Sequence, residues 1–326
     1  MKNLYPLKFR PILKEKIWGG NKLKNLFNKP CGSMPNCGES WELSGVEGNI
    51  SVVSNGSLVG NSLIELIDEY KGKLVGDKVF DSFGNKFPLL VKFIDANDDL
   101  SIQVHPDDSL AKIRHNSFGK TEMWYVIQSD ENAGLISGFS KPTNQVVYLE
   151  YLQKKHLNEI LKFYPTQKGD VFFIPAGRVH AIGRGIVVAE IQQTSDITYR
   201  IFDYNRTDDQ GKERELHTDL ALEAIDYTFH EDYKTQYALE VNETNSMVSC
   251  PYFTCNLIFA REVMKKDYNH LDSFVIYICA EGSFEVLTES MKILVQTGET
   301  ILIPAQLKNI TILPINEAKI MESYIE

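Results

Sequence analysis

The chain has 326 residues, 43% of them hydrophobic and 24% charged, and its 34 Lys and Arg against 44 Asp and Glu give a formal charge of −10. That length suits about two domains at roughly 150 residues each, and the composition excludes a disordered chain. The acidic balance excludes the basic footprint that nucleic acid demands. Charges scattered through residues 1–20 leave no signal-peptide core, and no run approaches the ~20 uncharged apolar residues of a membrane span. The sequence therefore reads as a soluble cytoplasmic protein with neither nucleic acid nor membrane as partner. No motif in it sets an oligomeric state. Its five cysteines are few and odd in number, and neither close pair (Cys31 and Cys37, Cys250 and Cys255) has zinc-knuckle spacing. Free thiols are expected.

In chain order, the first helix signal is Ser62–Tyr70, where Leu63, Leu66, Ile67 and Tyr70 share a face behind a Ser62-x-x-Glu65 capping box. Strand runs follow at Leu89–Ile94 and Leu100–Val104. A short helix is expected after Pro106, over Asp108–His115, and further strands at Met123–Gln128, Val171–Ile174 and Ile186–Ile191. Asn205–Glu215 reads as a loop, His217–Tyr227 as a third helix, and Glu240–Ser246 as a connector between domains. Beyond it, Phe274–Cys279, Ile301–Ile303 and Ile310–Leu313 are strand-like. Short strands bounded by turn residues predict sheets folded into sandwiches or barrels.

One internal repeat organises the chain. Gly169-Asp170-Val171-Phe172-Phe173-Ile174-Pro175-Ala176 returns as Gly298-Glu299-Thr300-Ile301-Leu302-Ile303-Pro304-Ala305. Each copy has a Gly-acid turn, a four-residue strand and a terminating Pro-Ala. The pattern resembles the second motif of cupin barrels, whose histidine position falls on His180 in the first copy and on Asn309 in the second. The resemblance implies a mainly β chain of two cupin-type jelly-roll barrels with a few short helices. Residues 1–240 would form a metal-competent catalytic domain and residues 241–326 a degenerate one without ligands.

Candidate ligands come from alternation and chemistry. Gln103 and His105 lie on one face of a strand with Val104 opposite, Glu122 heads the next strand, and His180 closes the Pro-Ala-Gly turn. Imidazole and carboxylate suit zinc, and neutral Gln is the weakest of the four. Downstream, Glu190 interrupts an apolar run, where an ionised carboxylate requires a cation or a wet cavity. Asp196 and Arg200 stand four apart, as a cavity pair or as a structural ion pair, and Lys120 precedes Glu122 by two. Such a cavity favours an anionic, hydroxyl-rich ligand.

Leu100-Ser101-Ile102-Gln103-Val104-His105-Pro106, Gly119-Lys120-Thr121-Glu122-Met123 and the Glu190–Arg200 segment resemble, in order, the motifs of type I mannose-6-phosphate isomerases, in their compact bacterial form. Ile17-Trp18-Gly19-Gly20 and Gly38-Glu39-Ser40-Trp41-Glu42 fit the same family, although Trp41-Glu42 departs from its longer members. The resemblance implies one Zn²⁺ per chain on Gln103, His105, Glu122 and His180, and an essential Arg200. It also implies conversion of mannose 6-phosphate to fructose 6-phosphate through a cis-enediol. Glu190, Asp196 and Lys120 remain alternative bases. Two competing readings are an iron-dependent cupin oxygenase, since two histidines and a carboxylate also suit iron, and a sugar-binding regulator without turnover.

Overall fold

The computed structural model describes residues 2–207, 211–289 and 291–326. Twelve strands occupy the first three quarters of the described chain: β1 (Ile12–Gly20), β2 (Cys37–Leu43), β3 (Leu89–Ala96), β4 (Ile102–Val104), β5 (Glu122–Ser129), β6 (Gly134–Phe139), β7 (Leu161–Pro165), β8 (Val171–Ile174), β9 (His180–Ile182), β10 (Ile186–Gln193), β11 (Tyr199–Phe202) and β12 (Lys234–Thr235). They form a seven-stranded sheet, β1-β2-β3-β10-β5-β8-β12, and a five-stranded sheet, β11-β4-β9-β6-β7. Trp18, Ile94, Trp124 and Phe172 from the first sheet meet Leu135 and Ile182 from the second in one buried cluster, so the two sheets face each other. The apolar strands predicted from sequence are all present; most lie within a few residues of their expected bounds, whereas Phe274–Cys279 and Ile310–Leu313 are the beginnings of much longer strands that run on to Leu287 and Tyr324. The molecule is mainly β with few helices, as expected.

Helices are short and peripheral: α1 (Lys22–Phe27), α2 (Leu63–Tyr70), α3 (Gly72–Val75), α4 (Asp77–Phe83), α5 (Asp108–His115), α6 (Gln145–Gln153) and α7 (Thr218–Ala224). The Ser62 hydroxyl accepts from the Glu65 N–H while the Glu65 carboxylate accepts from the Ser62 N–H, so the predicted capping box starts α2. Two orphan donors are satisfied at once. The third helix is shorter than expected because it stops at Ala224.

The C-terminal sheet contains β13 (Thr244–Ser249), β14 (Thr254–Ala260), β15 (Met264–Asp267), β16 (Val275–Leu287), β17 (Lys292–Gln296), β18 (Thr300–Ile303) and β19 (Asn309–Tyr324). The expected connector 240–246 thus passes into a strand at Thr244. β16 and β19 are long enough to pair twice. Register shifts at Cys279/Glu281 and Gly282/Phe284 bend them, so that the start of β16 pairs with β18 and its end with β17. Alternation along β16 then serves two cores: Phe274, Ile276 and Ile278 pack with Phe87, Val91 and Val187, while Val275, Tyr277 and Cys279 pack within the C-terminal sheet. The N-terminal segment joins the two parts through a bridge between Leu7 and Leu302.

The sequence repeat is a structural repeat. Gly169 (φ 93°) and Gly298 (φ 83°) both adopt the positive φ that side chains disfavour. Their N–H groups donate to the Val126 and Cys279 carbonyls, each at 2.8 Å. In both turns the following acid accepts from the N–H three residues back, Asp170 from Gln167 and Glu299 from Gln296.

One expectation fails. Cys31 and Cys37 are joined as a disulfide, with Cα atoms 6.2 Å apart. The turn between them brings the chain back into β2, opposite β1, and so sets the two buried sulfurs against each other. Sequence spacing alone carries no sign of that return. Cys250, Cys255 and Cys279 are free thiols.

Candidate active site

Three strand ends bring the ligand candidates together. β4 carries Gln103 and leads into His105, β5 begins at Glu122, and β9 begins at His180, which pairs in register with Gln103. Pro175 ends β8, and Gly177 at φ 89° turns the chain toward β9 while its N–H donates to the His105 carbonyl at 2.9 Å. The turn that the sequence marks with Pro-Ala-Gly thereby fastens His180 to the His105 segment.

His105, Glu122 and His180 are buried. His105 Nε2 lies 3.4 Å from one Glu122 oxygen, and His180 Nε2 lies 3.5 Å from the other. One donor atom from each residue falls within 4.8 Å of the others, and among the described residues no other such trio converges. Both Glu122 oxygens and both His105 nitrogens are buried without a hydrogen-bond partner. Orphaned polar atoms at that depth are costly unless something fills their bonding capacity. The His180 Nδ1–H donates to the Arg178 carbonyl at 2.8 Å, which leaves the Nε2 lone pair facing Glu122. Burial holds His105 well below the usual imidazole range, with the Lys120 and His180 charges adding to the effect, and burial lowers His180 too. Neutral imidazole is the form that binds metal. These residues fit a divalent cation.

Gln103 stands beside them with its amide nitrogen 3.3 Å from His180 Nε2 and its oxygen 3.4 Å from the Ser101 hydroxyl. As placed, it offers a donor to the site. A half-turn about its last torsion exchanges oxygen and nitrogen within the same volume.

A cavity of about 240 Å³ lies next to this trio: Gln103 and Lys120, which touch His180 and Glu122, line it. One wall is a cross-strand row on the seven-stranded sheet: Trp41 on β2 opposes Lys92 on β3, which opposes Glu190 on β10, which opposes Trp124 on β5. Glu190 is buried, and the cation that its position demanded is Lys92, 2.9 Å away. Its other oxygen accepts from the Trp124 indole N–H at 2.9 Å. Burial opposes the Lys92 charge, but Glu190 and then Glu39 outweigh it and raise its pKa. Glu39, one row away, accepts from the Trp41 indole at 2.7 Å and lies 3.3 Å from Lys16. Lys92 and Glu39 both line the cavity, and sequence reading missed them as site residues. Lys92 breaks an apolar run just as Glu190 does, which was the available signal.

Lys120 is buried, with its Nζ 3.4 Å from Glu122. Asp196 and Arg200 line the cavity but form no ion pair with each other, which removes the structural-pair alternative. Asp196 is exposed. Arg200 pairs in register with Gln103, donates from Nη1 to the Glu215 carbonyl at 2.7 Å, and keeps a buried Nε without a partner. Its backbone N–H donates to His217 Nδ1 at 3.1 Å, just before the third helix.

Aligning the two Gly-acid turns shows the same row rebuilt in the C-terminal sheet. Asn256, Glu322, Tyr277 and Ile301 oppose one another as Lys92, Glu190, Trp124 and Phe172 do. The carboxylate survives: Glu322 is buried and accepts from Asn256 at 2.9 Å and from Tyr268 at 2.5 Å, with Lys266 at 2.8 Å. The ligands do not. Val275 stands where the first copy has Glu122, and Asn309, in the place of His180, is exposed and opposes Asp267.

Residues 6–130 match the type I phosphomannose isomerase catalytic domain. Mannose-6-phosphate isomerase ManA of Bacillus subtilis is 38% identical over 255 residues, which are 76% of this chain and 78% of that protein. The probable mannose-6-phosphate isomerase GmuF of the same organism is 33% identical over 94% of this chain and 96% of its own length. A crystal structure of the mannose 6-phosphate isomerase from B. subtilis superposes with a TM-score of 0.87 at 32% identity, covering 99% of this chain and 100% of the other.

Proposed function

Because the chain belongs to the type I mannose-6-phosphate isomerases, a family of aldose–ketose isomerases, we propose that it interconverts mannose 6-phosphate and fructose 6-phosphate through a cis-enediol, using one zinc ion per chain. Two neutral imidazoles and a carboxylate, with an amide oxygen as fourth donor, make a zinc set that leaves room for substrate. His105, Glu122 and His180 would hold the ion, with Gln103 turned to present its oxygen. When bound, zinc supplies Lewis-acid stabilisation of the negative charge that develops as a proton leaves carbon beside a carbonyl. The observation that carries this reading is the buried, unpartnered Glu122 and His105 atoms beside a polar cavity.

The remaining residues divide by what their polar atoms already do. Both Glu190 oxygens are engaged, by Lys92 and Trp124, and both Glu39 oxygens face Trp41 or Lys16. Those carboxylates therefore orient the wall and the sugar hydroxyls. Proton exchange between C2 and C1 falls to Lys120, which stands against Glu122, and Arg200 contacts the substrate with its guanidinium. The double-barrel architecture accounts for the repeated Gly-acid turn, and residues 1–240 and 241–326 act as catalytic and degenerate domains.

The test is turnover of mannose 6-phosphate by zinc-loaded protein, coupled to glucose-6-phosphate isomerase, with the reaction repeated in deuterated water without the coupling enzyme. Steady turnover with solvent deuterium appearing on the product carbon is expected. Absence of turnover at full zinc occupancy would exclude the activity, and turnover without any solvent label, which a hydride shift requires and an enediol with an exchanging base does not give, would count against the enediol route.

A further inference from the structure

The cavity's charge is uneven along its length. Five cationic side chains line it against three carboxylates. At one end the charges cancel locally: Lys16 lies 3.3 Å from Glu39 and Lys92 lies 2.9 Å from Glu190. Lys120 faces Glu122 beside the ligand trio. The other two lining cations are Arg200 and Arg214; the one lining carboxylate left is the exposed Asp196, and Asp203, which does not line the cavity, is shared between Arg214 and Arg206.

Arg214 lies in a segment that the sequence marks only as a loop. It is nevertheless anchored. Its Nε donates to Asp203 Oδ2 at 2.6 Å and its Nη2 donates to Asp203 Oδ1, while Nη1 has no recorded bond among the described residues. Asp203 is itself buried and also holds Arg206. Arg214 therefore keeps its fork in one orientation, while Arg200 keeps a buried Nε with no acceptor. Burial, and after it the Arg214 charge, push the Arg200 pKa down. A dianion between the two guanidiniums removes the repulsion and supplies the missing acceptor.

We infer that Arg214, positioned by Asp203, forms with Arg200 the subsite for the substrate's phosphate, an inference that rests on the isomerase reading of this cavity. The register supports the placement. Arg200 opposes Gln103 and Gln103 opposes His180, so the arginine backbone is two strand steps, about 10 Å, from that of the ligand histidine. The carbon chain then runs from the arginine end, where its phosphate is held, to the Lys120 end, where C1 and C2 react. Arg214 is thus a binding residue and Asp203 a positioning residue.

Inorganic phosphate is the direct probe. In the zinc-loaded wild type it should inhibit competitively with mannose 6-phosphate. Arg214→Gln should raise both the KM for mannose 6-phosphate and the phosphate inhibition constant about tenfold or more, with a smaller change in kcat. Arg214→Lys should fall between, because it keeps charge without the fork, and Asp203→Asn should shift both constants in the same direction. Should Arg214→Gln not fold, the lysine variant carries the test. Unchanged KM and phosphate inhibition in a folded, zinc-replete Arg214 variant would overturn the subsite. So would phosphate inhibition of the wild type that is absent or non-competitive. Failure of the isomerase reading looks different: a wild type that binds phosphate through Arg214 and turns nothing over would keep the anion site and lose the activity.

Discussion

Of the three ligand side chains, one is held from behind by a hydrogen bond and two are not. His180 is fixed through Nδ1 by the Arg178 carbonyl, whereas His105 and Glu122 have no hydrogen bond of their own and would be satisfied by a bound ion. His105→Ala, Glu122→Ala and His180→Ala should each lower bound zinc and activity in parallel, read by metal analysis beside the coupled assay. Gln103→Ala should be milder, because a neutral amide contributes less. A variant at any of the three strong positions that kept full zinc and turnover would remove that residue from the site. Arg200 presents the opposite case, a cavity residue with no role in holding the metal. Arg200→Lys keeps the charge and loses the fork, so kcat/KM should fall by about 10² or more, on the order of 3 kcal/mol of transition-state stabilisation. Zinc content and melting temperature should stay near wild type. A variant that melted far earlier with intact activity per molecule would instead show a structural arginine.

At the level of elements, the central row across β2, β3, β10 and β5 couples stability to the site. Removing one member of a buried ion pair strands the other charge, typically at about 3–5 kcal/mol. Lys92→Met should therefore destabilise the protein by an amount in that range in denaturant titrations. The double variant Lys92→Met with Glu190→Gln should recover much of the loss and none of the activity. If the double variant were no more stable than the single one, the two side chains would not be acting as a pair. The same row explains what sequence reading found and what it missed. Apolar runs such as Ile186–Ile191 and the Ser62 capping box are local signals, and their elements appear where expected. β1 and β2 were not legible because Lys14, Glu15, Lys16, Glu39 and Glu42 break any alternation. β2 is buried throughout, and its charges are tolerated through partners on the strand itself, Trp41 for Glu39 and Ser40 for Glu42, and on other elements, such as Lys29 at 2.7 Å from Glu42. α6 was missed because only Tyr148 on it is buried, which leaves almost no apolar face to read. Of the site, the metal candidates and the Glu190–Arg200 cluster were legible from spacing and chemistry. Lys92 carried the same signal as Glu190, a charge inside an apolar run, and was passed over; Glu39 and Arg214 were not legible as cavity residues, because strand pairing and a loop's return bring them there.

Across the whole molecule, a single trio of converging ligands among the described residues implies a stoichiometry near one zinc per chain. A reproducible value of two under metal-limited loading would contradict that. Because zinc would bind the folded site and not the open chain, its removal should also lower stability, by about 4 kcal/mol where free zinc stood at a thousand times its dissociation constant. Chelation should shift the melting temperature down, and zinc alone should restore it. An unchanged melting temperature after complete removal would mean that the buried donors are satisfied without the ion.

Glu322 gives this protein an internal control for its own active site. The carboxylate occupies the same place in its row as Glu190 but sits among Tyr268, Asn256 and Lys266 with no ligand trio beneath it. Changing Glu190 alters fold and chemistry together, and the two effects are hard to separate in one site. Changing Glu322 disturbs an equivalent strand position where there is no chemistry to lose. Glu322→Gln should cost about 1–3 kcal/mol of stability, the usual penalty for disturbing a buried hydrogen-bonded group, and leave kcat per folded molecule intact. Glu190→Gln measured beside it then reports, by difference, how much of that carboxylate's importance belongs to the reaction and how much to the strand row that both sheets share.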